Sequence, residues 1–350
     1  MNNLIVLTFL IFYSIYSSEI ETSCGIAQIN HPCLQELLNS QIMQRLKNID
    51  QSGPYAHYGY CKFFSRYEHS LGVLALVQKA DRDLAEQVAA LLHDASHTVF
   101  SHLADILYKH KNTPHSYQDS IHLQYLERQG AESIINKFGL TINEINPDNS
   151  KFKALEQELP HLCADRIQYT IHTGLLFNRI NQQEAQNIIN DLEFKNETWF
   201  FKTLESAQRF AHLSLTFTKE FWGSPLNSAI YDCYTKILEH ALQDKTISHS
   251  DIHYGTDDQI ITMIHASKNP EIIQLVEYIK NIHSHFKVIE QEENPHNSIR
   301  IQPKFRGTNP LIIQNDRSIV SLFDIDAVFQ KDFLETKEWC TKGYTIHIDW

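Results

Sequence analysis

A chain of 350 residues is long enough to bury a large core, either as one large domain or as two smaller ones. Its hydrophobic content of 42% excludes a largely disordered protein, and its 11 glycines and 10 prolines are too few for an all-β fold with many turns, so we expect a mostly α fold. The net charge of −12 excludes a protein that coats a polynucleotide, because binding to a phosphate backbone needs clustered Lys and Arg. A small anionic ligand remains compatible, since a divalent cation and a few Arg side chains can dominate the field inside a pocket.

The chain begins with an apolar run from Leu4 to about Tyr16 that contains no charged residue. The run is short for a membrane span and close in length to the apolar region of a secretory signal peptide. We therefore predict that residues 1–18 form a signal peptide and that the protein is exported, to the periplasm or out of the cell. An uncleaved membrane anchor, or the buried first helix of a cytoplasmic protein, is the alternative, because no Lys or Arg precedes the run.

From His31 to about Asp244 the hydrophobic pattern predicts mostly helices. LQELLNSQIMQRLKNI has apolar residues at steps of three and four, whereas the glycine, proline and aromatics of QSGPYAHYGYCKFFSR are typical of a loop. EHSLGVLALVQKA and RDLAEQVAALLHDA predict two connected helices that are apolar nearly all round and therefore central. Three further segments continue the helical pattern: KALEQELPHLCADRIQYTIHTGLLF, NQQEAQNIINDLEF and SAQRFAHLSLTFTKEFW. We assign residues 19–248 to one helical domain.

After about Ser248 the pattern changes. The helical segments DDQIITMIHA and PEIIQLVEYIKNI are followed by NSIRIQP, NPLIIQ and YTIHIDW, in which apolar and polar residues alternate as in strands. We therefore predict a smaller α+β appendage over residues 249–350. The six cysteines are widely spaced and include no C-x-x-C pair, which excludes a zinc finger or a redox motif, while disulfides and buried free thiols both remain compatible.

The strongest chemical signal is RYEHSLG followed by ALLHDASH. His93 and Asp94 are adjacent in a mostly apolar helix, where their burial is costly unless a partner such as a divalent cation offsets it. His69 begins the preceding apolar helix, and antiparallel packing of the two helices would bring it beside His93. Asp165, in CADRIQYT, can complete the set from a distant helix. These four residues are the predicted ligands of one divalent metal ion, which such a mixed shell leaves open among Mn, Fe, Mg, Zn, Co and Ni.

These motifs also carry a resemblance to a known family. QRLKNIDQSG, SRYEHSLGV, AALLHDASHTVFSH, TPHS and ADRIQY span roughly residues 35–175 in the order found in the HD-domain phosphohydrolases, with a weaker echo in KFRGTNPLI. Within that family the chain resembles the branch of deoxynucleoside triphosphate triphosphohydrolases and their bacterial relatives. The resemblance implies a helical HD-domain bundle that binds one divalent metal ion. It also implies hydrolysis of a phosphate ester or anhydride by water that the metal polarises. It further implies a small phosphorylated substrate, in first place a nucleotide, and a dimer or tetramer.

The resemblance also assigns catalytic roles near the metal. His97 would face the same side as the ligand pair if the helix continues, and His102 and Asp105 would share a face of the next helix. His115 would project from a loop. By similarity to the family, these four residues would surround the water and the scissile phosphate, and an imidazole paired with a carboxylate, such as His115 with Asp105, could protonate the leaving oxygen.

Four further residues are predicted to bind the substrate. Arg66 and Arg166 are expected to hold phosphate oxygens, because the guanidinium fork matches their geometry and the family has basic residues at these positions. Tyr169 lies one helical turn after Asp165, so its ring could pack against a sugar. Gln51 matches a family position near the nucleoside.

The chain departs from the family at the sugar end of the predicted site. Nucleotide-hydrolysing members commonly carry Asp-Tyr and then Arg-Asp where this chain has Gln168–Tyr169 and His172–Thr173. Two other functions are compatible with the same residues. One is a binding module that senses a nucleotide or docks a partner, with the metal structural or absent. The other is a metal-dependent cyclic-nucleotide phosphodiesterase, which would use the same ligands.

Overall fold

The structure, a computed structural model, describes residues 18–108, 116–289, 298–314 and 316–348. The apolar segment on which the export prediction depends lies outside these residues, as does His115, so export remains a prediction. Across the described ranges, none of the helices combines the length and the apolar character that crossing a bilayer requires.

Helices make up most of the described chain, as predicted. In chain order they are α1 (Pro32–Asn39), α2 (Gln41–Arg45), α3 (Arg66–Lys79), α4 (Leu84–Leu92), α5 (Leu103–Leu107), α6 (Tyr117–Arg128), α7 (Ala131–Ile135), α8 (Ala164–Leu176), α9 (Gln182–Asp191), α10 (Leu204–Phe217), α11 (Pro225–Gln243), α12 (His249–Tyr254), α13 (Asp257–His265), α14 (Pro270–Lys280), α15 (Leu322–Ile325) and α16 (Ala327–Lys342).

The strands are short and form small sheets. They are β1 (Glu19–Thr22), β2 (Gly25–Gln28), β3 (Leu192–Lys195), β4 (Thr198–Phe201), β5 (Phe286–Ile289), β6 (Ser298–Ile301), β7 (Leu311–Ile313), β8 (Ile319–Ser321) and β9 (Tyr344–Ile348). The strand orders are β1-β2, β3-β4-β7-β8 and β5-β9-β6. The β4–β7 pair is parallel, with Phe200 opposite Leu311, and the other pairs are antiparallel. The predicted mostly α fold with a C-terminal α+β region is confirmed.

Helices α3 and α4 form the centre of the molecule. A capping box between Ser65 and Glu68 begins α3, and the carboxylate of Asp83 caps α4, so each start is fixed by a side chain that binds free backbone N–H groups. Helix α3 is buried on nearly all sides and packs against α4, α8 and β2. This central position explains why both segments are apolar all round.

Several element boundaries differ from those predicted. The first predicted helix breaks at Ser40, whose backbone is extended and whose hydroxyl donates to the carbonyl of Leu37. The helix predicted within KALEQELPHLCADRIQYTIHTGLLF begins only at Ala164, so Pro160 precedes the helix. Before Ala164, the buried carboxylate of Glu86 accepts the backbone N–H groups of Ala154 and Leu155, and the carbonyl of Ala154 accepts the indole N–H of Trp199, so contacts with distant segments hold this stretch. The predicted helix NQQEAQNIINDLEF ends at Asp191 and continues as β3.

Buried contacts join the residues after 248 to the helical region. Asp257, the first residue of α13, is fully buried and accepts the backbone N–H of Asp50 at 2.8 Å and that of Phe100 at 2.7 Å. The parallel pairing of β4 with β7 adds a shared sheet. The C-terminal region is therefore packed into the helical body. Each of the six cysteines lies in the described ranges and is a free thiol, five of them buried.

Candidate metal centre and its cavity

The predicted ligands lie where α3, α4 and α8 meet. His69 lies in the first turns of α3, whose start is fixed by Ser65, and His93 caps the end of α4. Asp94 follows in the turn after α4, and Asp165 is the second residue of α8. Three helix ends therefore bring the four side chains to one point.

The distances among these side chains are short enough for a shared ion. The Nε2 atom of His69 lies 3.1 Å from Nε2 of His93 and 2.9 Å from Oδ1 of Asp165. One ligand atom from each of these three residues lies within 4.8 Å of the others. Asp94 adds Oδ2 at 3.4 Å from Nε2 of His69 and Oδ1 at 3.7 Å from Nε2 of His93. The structure thus brings together all four residues that the sequence predicts.

The donor set fits a divalent metal ion. The Nδ1 atom of His69 donates to the side-chain oxygen of Gln168, and Nδ1 of His93 donates to the carbonyl oxygen of Ala90 at 2.8 Å. In the neutral rings both Nε2 atoms therefore carry lone pairs that face each other, and a positive charge is needed between them. Imidazole nitrogen and carboxylate oxygen are ligands that several divalent metals accept. The shell does not decide which metal is bound.

The electrostatics of the centre favour a cation. Burial lowers the pKa of His93, but the negative charges of Asp94 and Asp165 outweigh it and raise this pKa to about 9. Burial raises the pKa of Asp165, but hydrogen bonds from His69 and His93 outweigh it and hold this pKa well below its usual range. In the metal-free protein a proton on His93 thus offsets the charge of the two buried carboxylates, and a bound divalent cation would displace this proton and take over its role.

Two of the predicted catalytic histidines lie beside this centre. Helix α4 ends at Leu92, so the condition that the helix continues to His97 is not met, and a turn carries this residue to the site instead. Its Nε2 lies 3.2 Å from Oδ1 of Asp94. His102 precedes α5, and its Nδ1 lies 3.6 Å from Oδ2 of Asp105. Asp105 therefore faces His102 among the described residues, whereas its predicted partner His115 lies outside them.

Both histidines are biased towards the neutral form. Burial, followed by the nearby charge of Arg66, lowers the pKa of His97 to about 3. Burial also lowers the pKa of His102, against the opposing effect of its hydrogen bond to Asp105. Each ring is therefore neutral near neutral pH, with one nitrogen that can accept a hydrogen bond.

Arg66 is bound mainly to a predicted ligand. Its Nη1 donates to the carboxylate of Asp94, and its Nε donates to the hydroxyl of Ser101 at 2.8 Å. Its Nη2 is buried without a hydrogen-bond partner among the described residues. Arg66 therefore orients Asp94, and its unpaired donor is buried at the cavity wall, so phosphate binding by this residue remains a prediction.

The other predicted substrate-binding residues also line the cavity, but they differ in how many of their polar atoms are already hydrogen-bonded. Arg166 donates from Nη1 to the carbonyl of His161 and from Nη2 to that of Gln157 at 3.0 Å, so these two donors hold the chain rather than a phosphate. Gln51 presents a side-chain oxygen that is buried without a partner in the described structure. Tyr169 lines the cavity with its ring edge-to-face to Trp222, the centroids 5.0 Å apart.

The cavity has a volume of about 1340 Å³ and contains residues that the sequence did not single out. Among them are Gln118, His122, Glu156, Lys304 and Arg306. Burial and the charge of Asp165 raise the pKa of Glu156 to about 7. Lys304 and Arg306 belong to KFRGTNPLI, where two basic residues in an otherwise weakly charged segment were the available signal. Gln168 departs from the family pattern, and no sequence signal indicates its hydrogen bond to His69.

Residues 66–137 match the HD domain family. The chain is 33% identical to the uncharacterized protein YdhJ of Bacillus subtilis over 288 residues, which cover 82% of this chain and 86% of that protein. It is 29% identical over 262 residues to the metal-dependent phosphohydrolase cns2 of Cordyceps militaris, covering 73% of this chain and 75% of that one. A match of 35% identity over 94 residues to the deoxynucleoside triphosphate triphosphohydrolase SAMHD1 of Bos taurus covers only 21% of this chain and 15% of that protein.

A solved structure shares the fold. The phosphohydrolase of Bacteroides thetaiotaomicron superposes with a TM-score of 0.66 over 95% of this chain and 100% of that chain, at 17% identity. The chain belongs to the HD-domain family and, within it, to the family that contains YdhJ. It is an HD-domain hydrolase with metal-dependent phosphohydrolases among its homologues. The predicted HD-domain fold and the predicted enzyme class are confirmed.

Proposed function

We propose that this hydrolase cleaves a phosphate ester or anhydride bond in a small phosphorylated substrate, in first place a nucleotide. The observation that carries the proposal is the cluster of His69, His93 and Asp165 at a cavity of about 1340 Å³, which is large enough for a nucleotide. A divalent ion held by these residues and Asp94 would supply Lewis acidity towards a phosphate oxygen and towards water.

The residues around this centre would bind and orient the phosphate. Arg66 fixes the carboxylate of Asp94 and offers its free Nη2 donor to a phosphate oxygen. A guanidinium placed there also offsets the negative charge that develops on the transferred group. These two tasks explain why an arginine is buried beside a metal ligand.

The histidines would handle protons. His102, which faces Asp105, would give a proton to the leaving oxygen once the bound phosphate raises its pKa. His97, which is neutral and lies beside Asp94, would accept a hydrogen bond from the attacking water and so orient it. We keep His115 in the proposal as a second acid, on the strength of the family pattern alone.

The residues at the sugar-binding positions of the family pattern bear on which nucleotide is the substrate. Gln168 binds His69 and Ser23, and His172 stacks on Phe64 with ring centroids 3.4 Å apart, so neither residue is available to a sugar hydroxyl. Thr173 does line the cavity. Because these two positions are engaged and the match to SAMHD1 covers only 21% of this chain, the proposal extends to nucleotides as a class and not to deoxynucleoside triphosphates in particular.

A substrate panel tests the proposal. Purified protein is incubated with nucleoside monophosphates and triphosphates, their deoxy forms, cyclic nucleotides and p-nitrophenyl phosphate, each with Mn²⁺, Fe²⁺, Mg²⁺, Zn²⁺, Co²⁺ or Ni²⁺. We expect metal-dependent product release from at least one compound, and a loss of at least about a hundredfold in a His93→Ala/Asp94→Ala variant. His265→Ala, a change at an exposed histidine, serves as the control.

Three outcomes would contradict the proposal or redirect it. Equal activity in the wild type and in the double variant would exclude catalysis at this centre. Nucleotide binding without turnover under every metal would favour a sensing or docking module. Turnover of cyclic nucleotides alone would favour a phosphodiesterase.

A further inference from the structure

Two cationic residues on the cavity wall have no carboxylate at contact distance within the described part of the chain. Lys304 and Arg306 lie between β6 and β7 and line the same cavity as the metal centre. Among the described residues, neither forms an ion pair with a carboxylate. The other three arginines of the wall are engaged: Arg66 with Asp94, Arg166 with two backbone carbonyls, and Arg300 with the carbonyl of Lys342.

Aromatic rings hold Arg306 in place. Its guanidinium carbon lies 5.8 Å from the ring centroid of Tyr169 and 5.8 Å from that of Trp222. Such cation–π contacts fix a guanidinium without using its N–H donors. Tyr169 lies one helical turn, about 5.4 Å of rise, after Asp165 on α8. Arg306 is therefore held close to the metal centre, and none of the described residues accepts a hydrogen bond from its guanidinium.

The two cations oppose each other. The charge of Arg306 is the main cause that lowers the pKa of Lys304, while Asp119, Asp105 and Asp165 act in the other direction from a longer range. Two like charges side by side in a partly enclosed cavity are unfavourable unless an anion offsets them. In contrast, Arg179 and Arg209 on the outer surface each lie beside a glutamate.

We infer that Lys304 and Arg306 form a second anion subsite, which binds a phosphate group of the substrate other than the one attacked at the metal centre. The inference rests on the proposed phosphohydrolase function and narrows its substrate class to compounds with two phosphate groups. A planar guanidinium and a flexible ammonium together suit the oxygens of a terminal phosphate. The subsite would select such substrates against monophosphates of the same size.

The inference is tested by comparing the affinities of two compounds that the protein cannot hydrolyse. Propane-1,3-diphosphonate and propylphosphonate differ by one phosphonate group, and neither is cleaved, so calorimetric titration of Mn²⁺-loaded protein measures affinity alone. We expect the wild type to prefer the diphosphonate by about tenfold or more, which is the value of one charge-assisted hydrogen bond. Arg306→Gln and Lys304→Gln should each lose this preference while the affinity for propylphosphonate changes by less than about twofold.

A control variant at another arginine of the cavity shows whether the effect is specific to the subsite. Arg300→Gln is the control, because Arg300 lines the same cavity but donates to the backbone carbonyl of Lys342. It should retain the preference. Lys304 is exposed, so its substitution leaves the packing of Tyr169 and Trp222 intact even if Arg306→Gln disturbs it.

The outcomes separate the two proposals. Equal binding of both compounds by the wild type, no binding of either, or a preference retained in both the Lys304 and the Arg306 variant overturns the subsite. A preference that depends on Lys304 and Arg306, in a protein that hydrolyses nothing in the substrate panel, supports the subsite and overturns the proposed hydrolysis.

Discussion

The side-chain oxygen of Gln168 accepts a hydrogen bond from Nδ1 of His69, which leaves Nε2 of His69 facing the metal centre. Gln168 is fully buried, and Gly72 on α3 leaves the space for it: a Cβ atom at Gly72 would lie 2.6 Å from Cγ of Gln168. The departure from the family pattern at residue 168 thus places a neutral acceptor behind a ligand.

Gln168→Met should weaken metal binding, because methionine has a similar shape but cannot accept this hydrogen bond. Loss of such a partner behind a ligating histidine typically costs about 10- to 100-fold in metal affinity. Competition with a chelator measures the dissociation constant. Thr170→Val, which replaces a buried hydroxyl without a partner on the same helix, is the control and should bind metal like the wild type. Unchanged affinity in Gln168→Met would show that the bond does not orient His69.

Arg66→Lys should lower kcat/KM by about a hundredfold or more, because a lysine cannot bind Asp94 and Ser101 and also reach a phosphate. Steady-state kinetics on the best substrate of the panel measure the effect, and metal content is determined in parallel. Lys47→Gln, at an exposed position, is the control. A normal kcat/KM in Arg66→Lys would mean that a point charge is sufficient at this position.

His102→Gln should lower kcat by about 10²- to 10⁴-fold while metal content stays normal, because the ring faces Asp105 and not the metal ligands. Quench-flow or steady-state assays give kcat, and elemental analysis gives the metal. His265→Gln should match the wild type in both. Loss of the metal together with activity would instead assign His102 to the structure of the centre.

Asp50 should make the fold less stable as the pH rises. Burial raises the pKa of this carboxyl to about 7 from 3.8, against hydrogen bonds from the backbone N–H groups of Phe64 and Ser52. Between about pH 4 and pH 7 the folded state therefore holds a proton that the unfolded state releases, and the free energy of unfolding falls with rising pH until the folded carboxyl ionises.

Chemical unfolding of the wild type and of Asp50→Asn at pH 5 and pH 8 measures this contribution. Every other titrating group is common to both proteins, so we expect a smaller loss of stability between the two pH values in Asp50→Asn. A chelator is present throughout to remove metal effects. The same loss in both proteins would mean that Asp50 ionises normally in the fold.

The metal ligands could be predicted because local pattern carries them. His93 and Asp94 stand out in an apolar helix, and His69 stands at the start of its neighbour, so simple antiparallel packing brings them together. In contrast, the sequence does not indicate that this helix ends before His97. The turn after Leu92 has no glycine or proline to mark it, yet the turn still brings His97 to Asp94.

The remaining features depend on contacts between distant segments. The sequence shows the guanidinium of Arg166 but not the carbonyls of His161 and Gln157 that occupy it. The strands β3 and β4 have four residues each, too short for an alternating pattern to be distinguished from the end of a helix. Lys304 becomes meaningful only when the fold places it in the cavity of the metal centre.

The parallel pairing of β4 with β7 has a consequence for the order of assembly. The two strands come from distant parts of the chain, and joining them closes a long loop at a considerable cost in entropy. A polypeptide growing from its amino end holds the four metal ligands well before Lys304 and Arg306 have been synthesised. The nascent protein would therefore have the residues to capture its metal before it can recognise its substrate, so that selectivity is acquired last.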